Sequence, residues 1–209
     1  MANVSRVQGF KPVRHVNGSP WNGMTTPYLC STADSVAIFI GDVVKMGSTG
    51  GLAGVVVAGQ DVEGMPTCAR DTSGTTGQDT IGVVVGFSVD PTALQQRHRL
   101  ASTYRIAHVV TDPTVIYEVQ EDGAGAALTQ AEIGLCTAVI TTVGSTTTGM
   151  SGMALDSNGT TATTSTLPLK IVGLSKRVDN AMGLTTSDLA KWEVIFNTGW
   201  YAMNSVGTA

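Results

Sequence analysis

Apolar residues in this chain come in short blocks, each stopped by a turn cluster. Residues 36–40 read VAIFI and stop at Gly41-Asp42, and 43–46 read VVKM and stop at the Gly/Ser/Thr run 47–51. Residues 55–57 (VVV) end at Gly59, and 81–87 (IGVVVGF) end before Asp90-Pro91. A second group follows at 104–110 and 115–121, split by Thr111-Asp112-Pro113, and a third at 167–174 (LPLKIVGL) and 192–197 (WEVIFN). Along 116–121 polar Glu118 and Gln120 alternate with apolar neighbours, the period of a half-buried strand. Blocks of this length, rich in β-branched residues and closed by Gly, Pro, Asn or Asp, predict strands of a sandwich or barrel.

Helical signals are few. Thr129 and Glu132 have capping-box spacing, with Gly134 suited to a C-terminal cap, so 128–134 predicts one short turn. Residues 92–96 and 185–191 are weaker candidates. The polar stretches 71–80 and 141–166 read as loops or thin strands, with Asn158-Gly159 as a tight-turn pair. No fixed-period repeat emerges. The expectation is an all-β chain: a compact β-sandwich or β-barrel of many short strands, with at most one or two short helices.

Residues 1–30 break the pattern. They hold Pro12, Pro20 and Pro27 with sparse apolar positions of neither period, and Pro fixes φ and resists helix. We read 1–30 as an extended N-terminal arm and 31–209 as the β-rich core. Phe10, Pro12, Trp21 and Tyr28 are the arm's candidate interface residues, anchoring it to a neighbour unless the arm folds back on its own core. Deleting residues 2–30 should then leave a folded core.

Composition narrows the function classes. Only 13% of residues are charged and the net charge is −4, so the chain lacks the basic footprint of nucleic-acid binding. The densest basic cluster, Arg97-His98-Arg99, reads as a solvated loop. Cys30, Cys68 and Cys136 are odd in number and without CxxC spacing, which predicts buried free thiols in a reducing compartment rather than a disulfide framework or zinc site. No apolar run approaches membrane-spanning length, and the opening residues lack a signal-peptide core. Asn3, Asn17 and Asn158 head chance glycosylation triplets on that reading.

No catalytic chemistry is expected of the chain. His15, His98 and His108 lack partners at metal-ligand spacing. The Gly-rich segments 47–51 and 144–149 lack the Lys of a phosphate loop, and 149–152 (GMSG) is not a nucleophile elbow. Asp42 reads as a turn former. Glu118, Glu121 and Asp122 read as solvated strand-end acids, with calcium as the alternative. No catalytic, cofactor or metal residue is assigned, and an enzyme is not expected.

The order of segments resembles a group of tailed-bacteriophage virion proteins. The resemblance runs through MANVSRVQGFKPVRHVNGSPWNG, AIFIGDVVKM, IGVVVGFSVDP, TDPTVIYEVQED, LPLKIVGL and KWEVIFN. These proteins are similar to head decoration, or cement, proteins. The resemblance implies a structural virion protein on the head exterior, assembled in the host cytoplasm. It would clamp neighbouring major capsid protein subunits, as a homotrimer and without a membrane or direct nucleic-acid partner. Two alternatives stay open: a carbohydrate-binding or host-attachment module using aromatics such as Trp200-Tyr201, and a head–tail connector or tail component.

Overall fold

The computed structural model describes residues 3–47, 54–75, 79–158, 161–182 and 189–201. Its strands are β1 (Lys11–His15), β2 (Thr26–Cys30), β3 (Val43–Met46), β4 (Val56–Val57), β5 (Gln60–Asp61), β6 (Thr67–Arg70) and β7 (Thr80–Phe87). They continue with β8 (Arg105–Val110), β9 (Val115–Gln120), β10 (Cys136–Thr137), β11 (Val139–Ile140), β12 (Ala154–Leu155), β13 (Leu169–Leu174) and β14 (Lys191–Phe196). One 3₁₀ turn, Gln130–Glu132, carries both bonds of the capping box predicted from Thr129 and Glu132. The fold is all-β, as the block pattern predicts.

Five strands close into a barrel in the order β2-β6-β3-β7-β8, and five more form an open sheet in the order β1-β9-β14-β13-β10. The pairs β4–β5 and β11–β12 are short ribbons. A ring of five strands must return to its starting direction, so its antiparallel pairings are even in number and at least one pairing is parallel. Here four are antiparallel and the β2–β6 pairing is parallel. That seam is also short: only Leu29↔Thr67 and Cys30↔Cys68 are in register.

The unbroken Val runs have a direct cause. Val44, Val84 and Val109 pack with Tyr28, Cys30, Ile38, Cys68 and Ile81 in one buried cluster. Their neighbours Val43, Val83 and Val110 pack the other way, against Tyr117, Val119, Leu169, Trp192 and Val194 of the sheet. Successive side chains point to opposite faces, so strands buried on both faces read as continuous apolar runs.

The N-terminal segment differs from the extended arm expected for residues 1–30. β1 pairs antiparallel with β9, and β2 is a barrel strand. Phe10 is 2% exposed and sits in the cluster between barrel and sheet. Gly9 and Gly41 make this docking possible. Both have positive φ (+69° and +93°), and a Cβ on Gly9 would lie 2.4 Å from the Gly41 carbonyl. Without side chains the two backbones approach closely enough for the Phe10 amide to donate to Gly41 O at 3.0 Å. The boundary at residue 30 therefore cuts through the barrel, and removing residues 2–30 would remove a barrel strand.

Three smaller expectations also differ. The run 36–40 contributes isolated bridges at Ile38 and Ile40 rather than a strand. Residues 92–96 make turns without a helix. Of the candidate helical turn 185–191, positions 185–188 lie outside the described residues, and Lys191 already opens β14.

Candidate interaction surface

The buried charges act as braces. Asp42, fully buried, accepts from Arg70 Nε at 2.9 Å, from the Phe39 amide at 2.9 Å and from the Ser151 hydroxyl. Arg70 also donates to the carbonyls of Thr141 and Thr142 at 3.2 and 2.6 Å, pinning the start of the 141–166 stretch to the barrel. Burial pushes the Asp42 carboxyl up from its ordinary range, while Arg70 and the two hydrogen bonds pull it down. Asp42 is thus a turn former, as expected, and also half of a buried ion pair.

The basic cluster is not a solvated loop. Arg97 is exposed, but Arg99 is 0% exposed and donates to the carbonyls of Thr103, Val36 and Ser31, with Asp34 3.5 Å away. His98 is buried and stacks on Phe39 with ring centroids 4.7 Å apart. Burial, with the nearby Arg105 charge, lowers its pKa. Arg105 in turn holds the carbonyls of Ser88, Gln96 and His98. The reason is topological: the long β7–β8 connection must be tied down, and guanidinium groups satisfy several carbonyls at once.

The acid cluster is likewise structural in its contacts. Glu121 is 0% exposed and accepts from the amides of Leu128 and Ala190. Glu118 accepts from Ser175 and Arg177, and Asp122 from Ala124 and Ser157. Among the described residues no group of three His, Cys, Asp or Glu side chains is placed to hold a metal ion. His108 is half-buried on β8 in register with Pro27, and His15 lies near Thr114 and Asp112.

The four candidate arm residues are dispersed. Phe10 meets Tyr117 edge-on at 6.5 Å and Phe196 at 6.0 Å. Tyr28 is 1% exposed, its hydroxyl 2.9 Å from that of Tyr201. Pro12 is half-buried in the edge strand, and Trp21 packs partly against the central cluster. Phe10 and Tyr28 are therefore committed to this chain's own core. The bond from the Trp21 amide to Val13 O, and that from His15 to Ser19 O, fold the following turn over the outer side of β1.

What sequence reasoning missed is a groove at the barrel wall. Strand β4 with Ala58 and the loop 88–92 flank it, and Tyr104 and Arg105 line its side, around a volume of about 250 Å³. Val56 and Val89 both line it and are 65% and 67% exposed. The signal was present in VVV at 55–57 and FSVDP at 87–91. Which valine faces outward follows from pairings that one strand's pattern does not contain.

Among the described residues, no helix is long and apolar enough to cross a membrane. No protein-family model matches the chain, no curated protein matches it, and no solved structure matches it.

Proposed function

We propose that the protein decorates the exterior of a tailed-phage head, holding neighbouring major capsid protein subunits together as a homotrimer. The head assignment rests on the sequence resemblance. The observation that carries the broader reading, a scaffold that meets other proteins, is the groove lined by exposed Val56 and Val89. Val56 and Val89, far apart in sequence, line the same groove; exposed apolar groups gathered at one concavity point to an interaction site, whereas isolated ones need no explanation.

The docking would use side chains rather than strand addition. The barrel strands are ordered in a closed ring, and the turn at 19–21 covers part of the β1 edge, which restricts strand addition at these strands. Burying one groove valine contributes about 1.5–3 kcal/mol, a weak contact alone. A trimer engaging several subunits raises the effective concentration of each further contact.

The test is co-sedimentation of the purified protein with phage heads that lack it. Wild type binds. Val89→Asp binds at least tenfold more weakly and melts like wild type, since exposed substitutions shift stability by only about 0.5 kcal/mol. Equal binding by the variant contradicts the groove, and absence of wild-type binding contradicts the head assignment.

One observation favours a second reading, glycan binding. Trp200, 60% exposed, precedes Tyr201, 44% exposed, and adjacent exposed aromatics suit the apolar face of a sugar ring. Trp192 is fully buried and takes no part. Glycan-array binding that Trp200→Ala abolishes would support this reading over the first.

A further inference from the structure

The barrel closes at its weakest pairing, and two of the three cysteines sit there. Cys30 on β2 and Cys68 on β6 are directly opposed across the two-residue parallel seam. Their sulfurs are 3.7 Å apart, both inside the barrel cluster. Neighbouring strands lie about 4.7–4.9 Å apart, inside the Cα range of roughly 4.4–6.8 Å that disulfides span. Cys136 is on β10 of the other sheet, opposite Lys170, and Cys30 and Cys68 are each other's only opposed cysteine.

We propose that Cys30 and Cys68 form an intramolecular disulfide that staples the barrel's parallel seam under oxidising conditions, while Cys136 stays a thiol. The oxidant is a small-molecule disulfide such as oxidised glutathione. One cysteine thiolate attacks a reagent sulfur and expels a reagent thiolate, leaving a mixed disulfide. The second cysteine thiolate then attacks the protein sulfur of that mixed disulfide and expels the other reagent thiolate. The two protein thiols lose two protons and two electrons in all, and one reagent disulfide becomes two thiols.

The closed barrel slows this chemistry. Both cysteines are at most 1% exposed, and the contact with Cys30, together with burial, holds the Cys68 thiol well above its ordinary range. Exchange therefore proceeds through an opened seam or before the barrel closes. Once formed, the bond joins positions 38 apart in sequence. The loop-entropy relation then favours the folded state by a factor on the order of several hundred.

The experiment refolds the full chain with oxidised and reduced glutathione, and in parallel with dithiothreitol. A second preparation, secreted to an oxidising bacterial periplasm, serves if refolding fails. Denatured samples are alkylated, weighed and peptide-mapped, and folded samples are titrated with urea. The expected result is a single alkylated thiol at Cys136, a Cys30–Cys68 linked peptide, and a higher urea midpoint that dithiothreitol abolishes. Three alkylated thiols overturn the proposal. So do persistent glutathione adducts on Cys30 or Cys68, a link through Cys136 or between chains, or a linked product that is no more stable.

Discussion

Replacing Phe10 by Ala separates a docked N-terminal segment from a free arm. The ring is 2% exposed between the barrel and the sheet, edge-on to Tyr117 and beside Phe196. Truncating a buried Phe costs about 3–5 kcal/mol, through lost transfer energy and the cavity left behind. The cavity cannot collapse easily, because Gly9 and Gly41 already bring the two backbones to their closest approach. For a domain of this size each kcal/mol lowers Tm by about 2–4 °C, so Phe10→Ala should melt roughly 6–20 °C below wild type. The assay is thermal and urea unfolding followed by circular dichroism, with Val4→Ala, 61% exposed, as the control expected to change little. A Phe10→Ala protein melting within about 2 °C of wild type would instead place Phe10 on a solvated arm, where truncating a side chain costs no more than that.

Two further predictions follow from the braces. Arg70→Ala leaves the Asp42 carboxyl buried without its cation and should destabilise by about 3–5 kcal/mol, read from the urea midpoint; a loss under about 1 kcal/mol counts against the brace. His98 has a lowered folded pKa, so the unfolded chain binds its proton more tightly. Its contribution is complete above the ordinary imidazole value of about 6.5 and is lost as pH falls from there toward the folded value. A wild-type stability profile should therefore fall below about pH 6.5, and His98→Gln should flatten that part. An unchanged slope in the variant would show that other groups set it.

The sequence made the strands legible where burial on both faces wrote adjacent valines, as at 83–84 and 109–110. It hid the strands that contain proline. In β1, KPVRH, Pro12 is tolerated because the strand lies at a sheet edge, with a register irregularity between Pro12 and Arg14. In β2, TPYLC, Pro27 sits where β6 has not yet begun to pair, so the strand is open on one side there. Both prolines read as arm in one dimension and as tolerated strand positions in three. Barrel closure was illegible for a related reason: the seam joins residues 38 apart, and no local pattern encodes which strand meets which. The Arg97-His98-Arg99 cluster misled because charge density alone does not show that Arg99 faces three carbonyls.

The most direct test of the proposed role is the copy number of this protein per particle, measured by quantitative gel densitometry of purified virions against the major capsid protein. Decoration of the shell requires hundreds of copies, in fixed proportion to the capsid subunit. Absence from the virion, or only the few copies of a single cyclic ring, would contradict it.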